Sequence, residues 1–341
     1  MPAAELALVA RSRGVATHLL SREALESLAA ATDVASLVHG LARMRADLEP
    51  AGDPPDLAAF GLSVDRTAGR HLRTLLRWQR TQPGVLDVFV ADQERRSLRA
   101  LLRGALQGAP AAARLAGLLP TPALPVAALT ELARQASPSA VVAHLIALGY
   151  PGAPRLLPLV NRAQPELFAI EVALLRGLAA RAGTAARLGD AVLRDFVHER
   201  LDIGNTQNAL LLAGGPRDID PGDAFVAGGR WLPPHAFVAA AASASRQACL
   251  VRLAAALAGT PLARMLPVVA DDVTFPERTL LTSTMARLAR DARLRPLGTA
   301  PILRVLLRIE AQSRDLRTLA WGVALGAPPA MRRQELVTPW H

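Results

Sequence analysis

The amino-acid sequence predicts an all-α protein made of three related helical copies, and three observations carry that expectation. Ala and Leu dominate an apolar set that is 51% of the chain, whereas aromatic residues are only 4%. Both are strong helix formers, and the β-branched and aromatic runs that mark strands are scarce. A segment recurs three times, as LLSREALESLAAATDVASLVHGL from Leu19, ALPVAALTELARQASPSAVVAHL from Ala123 and WLPPHAFVAAAASASRQACLVRL from Trp231, at spacings of 104 and 108. A fourteen-residue phrase, SLRALLRGALQGAP from Ser97, returns as DLRTLAWGVALGAP from Asp315 with seven identities. A chain of 341 residues is too long for one small core, and self-similarity at this period points to packed supersecondary units.

Each copy reads as an opening helix pair, a longer helix and a closing helix. Ser21, Pro125 and Pro233 open the first helix as an N-cap or first-turn proline, with Leu25/Leu28, Leu129/Leu132 and Phe237/Ala240 as its apolar stripe. Asp33, Ser137 and Ser245 cap the second, whose buried face is Leu37/Val38/Leu41, Val141/Val142/Leu145 and Cys249/Leu250/Leu253. GYPGAPRLL (149–157) and GTPLARML (259–266) break the pair in two copies, and EPAGDPPDLAAFG (49–61) is the loop in the first. The long helix carries an acid at Asp65, Glu171 and Glu277, spaced by 106 both times. The closing helix carries ERRSL (94–98), DIGNT (202–206) and QSRDL (312–316), so that Glu94 and Asp202 align with Gln312 and a charge is not required there. Gly108 and Gly326, near the end of the repeated phrase, read as helix terminators. The expected domains are 1–113, 114–222 and 223–341.

Chemistry is harder to find. There is no Walker A loop, no Gly-x-Gly-x-x-Gly, no His-Glu-x-x-His and no Gly-x-Ser-x-Gly elbow. The seven histidines are dispersed, and His144, inside an apolar helix, reads as a packing residue. No catalytic, cofactor-binding or metal site is expected. The repeated acids read as structural positions that pair with an arginine or cap a neighbour, because each copy keeps one and catalytic sites rarely repeat threefold in one chain. Cys249 is the lone cysteine, so no internal disulfide forms and a reducing compartment is expected. Arg11 and Arg13 interrupt the only early apolar run, which argues against a signal peptide. The apolar stretch AVVAHLIALGY is too short to span a membrane.

The formal charge is +10, and all 39 cations are arginine. That balance favours acidic partners without choosing among nucleic acid, anionic membrane and acidic protein loops. The densest stretch, RHLRTLLRWQR (70–80), places Arg70, Arg73, Arg77 and Arg80 on one helical face opposite Leu72, Leu75 and Leu76. It reads as a solvated amphipathic face, since only Trp78 is near to stack on bases.

The opening segment VARSRGVATHLLSREALESL (9–28) resembles the N-terminal signature of the C subunit of A/V-type rotary ATPases, called subunit d in eukaryotes, through Ala10, Arg11, Arg13, Gly14, Leu19, Leu20 and Ser21. Asp202 and Asn205 match that family's acid-x-x-Asn-Leu helix, and Glu94 with Leu98 match it in part. LFAIEVAL (167–174), VAGGRWL (226–232) and GTPLARML are similar to its long-helix entry, its glycine joint and its turn after the helix pair. The family's tyrosines are largely replaced here, Tyr150 being the one left. The resemblance implies three helical bundles arranged as a funnel about a pseudo-threefold axis. It implies a non-catalytic central-stalk adaptor, cytoplasmic and peripheral to the membrane, between the central shaft subunits and the proteolipid ring that carries protons or sodium. Neither a cofactor nor nucleic acid is expected as a partner. The other reading open at this point is an arginine-rich helical-repeat scaffold that binds RNA or acidic proteins.

Overall fold

The computed structural model describes residues 3–49, 56–79, 84–162, 167–214, 220–264, 266 and 277–339. Among them every regular element is helical and none is a strand. Helix α1 (Ala3–Ala16) precedes the first copy, which consists of α2 (Arg22–Leu28), α3 (Val34–Arg43), α4 (Leu57–Leu76) and α5 (Val85–Leu106). After α6 (Ala111–Leu115), the second copy runs through α7 (Val126–Arg134), α8 (Pro138–Ala147), α9 (Leu157–Val160), α10 (Leu167–Leu188) and α11 (Ala191–Leu212). After α12 (Pro221–Ala224), the third contributes α13 (Pro234–Ala241), α14 (Arg246–Ala256), α15 (Glu277–Leu294) and α16 (Thr299–Ala324), followed by α17 (Pro329–Gln334).

The helices start where side chains can satisfy their first N–H groups. Ser21, Asp33, Ser137 and Ser245 each accept from the backbone N–H three residues on, at 3.2, 2.6, 3.2 and 3.2 Å. Each such cap contributes about 1 kcal/mol. Pro233 is the N-cap of α13 and Pro234 occupies its first turn, where a missing N–H costs nothing. The helices stop at left-handed residues. Gly108, Gly149, Gly259 and Gly326 have φ between +66° and +77°. Arg45, 104 positions before Gly149, has φ +52° and is the non-glycine residue in that region among those described.

The chain divides into two compact units. Unit 1 comprises 1–82, 116–130 and 281–341, and unit 2 comprises 83–115 and 131–280. Each unit joins helices from different copies. In unit 1, the closing helix α16 of copy three packs on α1, α2, α3 and α4. Its Leu316 and Leu319 enter one buried cluster with Leu25, Leu37, Phe60 and Val64 of copy one. In unit 2, the closing helix α5 of copy one packs along α10 and against α8 of copy two, and α11 of copy two packs on α13 and α14 of copy three. A fully buried Leu or Phe contributes about 1.5–3 kcal/mol, so these shared clusters hold the units together more than any polar contact does. Among the described residues no helix is long and apolar enough to cross a membrane.

Candidate functional site

Asp65, Glu94, Glu171, Asp202 and Asn205, which the sequence singles out, lie at these joints between copies. Asp202, fully buried on α11, accepts from the backbone N–H groups of Arg230 (2.8 Å), Trp231 (2.9 Å) and Leu232 (3.2 Å). One turn further along, Asn205 exchanges two hydrogen bonds with the backbone of Val226, at 2.8 and 3.0 Å. Together they clamp the VAGGRWL joint. The joint fits because a β-carbon on Gly229 would collide with the Asp202 carboxylate, and Gly228 has φ +113°. Burial raises the Asp202 pKa, and the three N–H donors oppose that rise.

Asp315 does the same work on α16. It is fully buried and accepts from the N–H groups of Val337 (2.7 Å) and Thr338 (2.9 Å). Burial again raises its pKa against those donors. The alignment of QSRDL with DIGNT passes over it. It places Gln312 opposite Asp202, and Gln312 instead accepts from the N–H of Leu20 at 2.6 Å. The signal that could have found Asp315 is the fourteen-residue phrase itself, which begins with it.

Two of the long-helix acids hold arginines at matching places. Asp65 on α4 is paired with Arg317 on α16, within unit 1. Glu171 on α10 is paired with Arg99 on α5 at 2.6 Å, within unit 2. Arg99 and Arg317 stand 218 residues apart, at the third position of the repeated phrase. In each case the acid of one copy meets the closing-helix arginine of another. Arg99 also donates to Gln207 at 3.1 Å, and Arg317 to the carbonyl of Leu118 at 3.1 Å. Burial pushes Arg317 down to about 10. Glu277 is the first residue of α15, and its side chain lies outside the described residues.

A second pair of staples follows the phrase. The stem of Arg114 lies over Gly104, where an added β-carbon would come within 2.6 Å of it, and the stem of Arg332 lies over Gly322 at 2.7 Å. Arg114 donates to the carbonyl of Gln135 (2.6 Å), and Arg332 to that of Ala31 (2.7 Å). Gln135 and Ala31 are 104 residues apart, at the ends of the first helices of copies two and one. At the corresponding place in copy three, the carbonyl of Ser243 accepts from the N–H of Gly214 at 3.1 Å. Arg332 of copy three therefore closes the open end of a helix in copy one, and Arg114, at the boundary of copies one and two, closes one in copy two.

Glu94 has a different role from Asp202. It is buried on α5 and accepts from Arg181 (2.6 Å) and from the hydroxyl of Tyr150 (3.1 Å), the sole tyrosine of the chain. Burial and then the Glu94 charge raise the Tyr150 pKa well above its usual value. Nearby on α5, burial works to raise the Asp92 pKa, but Arg95, Arg96 and Arg200 outweigh it and hold the carboxyl below its ordinary value. Arg95 and Arg181, both engaged in these pairs, line a cavity of about 370 Å³ in unit 2 with Tyr150, Arg155 and Leu174.

The remaining expectations fall out simply. In RHLRTLLRWQR the helix ends at Leu76, Leu72 and Leu75 are buried, and Arg70 pairs with Asp47 at 2.7 Å. Arg80 lies outside the described residues. Trp78 stacks with Arg11, whose guanidinium carbon is 4.0 Å from the ring centre. Cys249 is buried, and its thiol is pushed up to about 12 by that burial. Among the described residues no cluster of three or more His, Cys, Asp or Glu is arranged to hold a metal.

The chemistry of these sites is retention. Their carboxylates are held by N–H groups, guanidinium or a hydroxyl, and Asp65, Glu94, Glu171 and Asp202 each fix one copy to another. No curated protein matches the sequence. The family model described as ATP synthase (C/AC39) subunit matches residues 8–335, nearly the full chain. The chain belongs to that family, and it is thereby a non-catalytic stalk subunit of a rotary ATPase of the V/A type.

Proposed function

We propose that this protein is the central-stalk adaptor of its rotary ATPase, seating the tip of the rotating shaft and resting on the membrane proteolipid ring through which protons or sodium ions pass. In this reading the copies at 1–113, 114–222 and 223–341 form a pseudo-threefold funnel, and the protein is cytoplasmic, held at the membrane by the complex. The observation that carries it is the family match running from residue 8 to 335, through all three copies. The repeated joints support it. An adaptor that passes torque must not shear between copies, and buried ion pairs and clamped backbone at each joint resist shear where close-packed helices alone would slide. The +10 charge supports contact with acidic loops of the ring. Each exposed pair would add only about 0–1 kcal/mol, and a ring of them would weaken with salt.

The test is purification of the membrane fraction through a tag on this chain. Shaft and proteolipid subunits are expected to co-purify, and raised salt is expected to loosen the ring. Recovery of nucleic acid without ATPase subunits would overturn the adaptor reading. Retention on the ring in high salt would remove the arginine contacts from it.

A further inference from the structure

Unit 1 contains a second kind of arginine cluster. Arg13 of α1, Arg293 of α15, and Arg304 and Arg308 of α16 line one cavity of about 180 Å³, floored by Ala16, Pro301 and Val305. Elsewhere many inward arginines are neutralised, Arg99 by Glu171, Arg317 by Asp65, Arg95 and Arg200 by Asp92, whereas Arg114 and Arg332 stand singly against carbonyls. Here, among the described residues, no carboxylate pairs with any of the four. Arg13 donates to the carbonyl of Pro296 (2.7 Å) and Arg308, more weakly, to that of Leu20 (3.4 Å). Both contacts orient a guanidinium without cancelling its charge. Arg308 is half-buried, and burial followed by the Arg304 charge lowers its pKa. Four like charges around a small, partly desolvated space are mutually repulsive and invite a compensating anion.

We propose that this cavity binds a phosphoryl group. Guanidinium forks pair bidentately with phosphate oxygens. A single carboxylate would occupy one fork and leave most of the charge standing, whereas a phosphate monoester or diphosphate offers several oxygens and about two or more charges. The volume lies below the roughly 300–1,000 Å³ of clefts that enclose a drug-sized ligand, so the cavity takes a charged head rather than a whole body. That head could belong to a soluble diphosphate or to a phospholipid. The inference is independent of the adaptor reading, because it concerns the isolated full-length chain.

The test compares thermal melts and titration calorimetry of the full chain in sodium pyrophosphate and in sodium chloride of equal ionic strength. A parallel arm floats it with phosphatidylcholine vesicles with and without phosphatidic acid. Pyrophosphate is expected to raise the melting temperature beyond chloride. Arg304→Gln with Arg308→Gln is expected to weaken binding at least tenfold, and to melt no lower than the parent in chloride because it relieves repulsion. Arg13→Gln, on an exposed side chain, gives a second readout that does not challenge the fold. Arg134→Gln, at an exposed arginine paired with Glu131, is expected to bind as the parent does. Binding to phosphatidic acid vesicles alone, lost in the same variants, would assign the phosphoryl group to a lipid. Absence of both, or binding that survives the Arg304/Arg308 change, would overturn the proposal.

Discussion

The two units are held by the same joint built to different standards. In unit 2, Asp202 clamps three backbone N–H groups, whereas in unit 1 Asp315 clamps two. Arg114 in unit 2 reaches two carbonyls, Gln135 and Ala109, both at 2.6 Å. Arg332 in unit 1 reaches Ala31, and its buried Nε has no partner. The separations differ as well: Arg114 closes over 21 residues and Arg332 over 301. Unit 1 is thus the looser copy of a shared design.

The largest test of that contrast removes the clamps. Asp202→Ala strands one buried donor, the N–H of Leu232, and two part-buried ones, those of Arg230 and Trp231, and is expected to cost roughly 3–5 kcal/mol, at about 1–3 kcal/mol for the buried donor and about 1 kcal/mol for each of the others. Asp315→Ala strands two donors, both buried, and is expected to cost roughly 2–6 kcal/mol by the same argument. Urea denaturation measures both. A larger shift for Asp315→Ala than for Asp202→Ala would show that burial of the donors outweighs their number, and would reverse the ranking of the two joints.

The clamps also show where the sequence was legible. Caps at Asp33, Ser137 and Ser245, the apolar stripes behind them and the terminator glycines are local signals, and they stand in the structure as the residue pattern requires. Asp315 was missed for a local reason. It lies three residues from Gln312, nearly one helical turn, so both present the same face and periodicity cannot choose between them. The pairing of Asp65 with Arg317, and of Arg332 with Ala31, was invisible for a different reason. Closing helices of similar sequence pack on another copy, and that choice is made by tertiary burial. The Arg13–Arg308 cavity brings α1 to the consecutive helices α15 and α16 at the far end of the chain, and each of its arginines alone resembles a solvated charge.

A smaller test compares the staples. Arg114→Met keeps an unbranched stem over Gly104 but abandons two carbonyls, and is expected to cost about 2–3 kcal/mol. Arg332→Met abandons one carbonyl and also removes the unpartnered Nε, so its cost is expected near 1 kcal/mol. Hydrogen exchange locates the effect. Protection should fall in α6 and α7 for the first variant, and in α2 and α17 for the second. Equal costs would show that the orphaned nitrogen is no burden and that the two joints are equivalent.

The smallest expected effect is a gain. Arg45 ends α3 with φ +52°, and the N–H of Ala46 reaches back to Leu41 at 3.0 Å. In copy two, Gly149 ends α8 with φ +68°, and Tyr150 reaches back to Leu145 at 2.9 Å. The bonds are the same, but only glycine adopts this backbone without steric cost, which is roughly 1–2 kcal/mol for other residues. Arg45 is exposed, so nothing buried is lost on replacing it. Part of the relief is offset by the greater freedom of glycine in the unfolded chain, about 0.5–1 kcal/mol. Arg45→Gly is therefore expected to stabilise by about 0.5–1 kcal/mol, and Gly149→Arg to destabilise by about as much, both read as midpoint shifts in urea. If Arg45→Gly instead destabilises, the arginine is held by something other than its backbone, and the looseness of unit 1 does not extend to the end of α3.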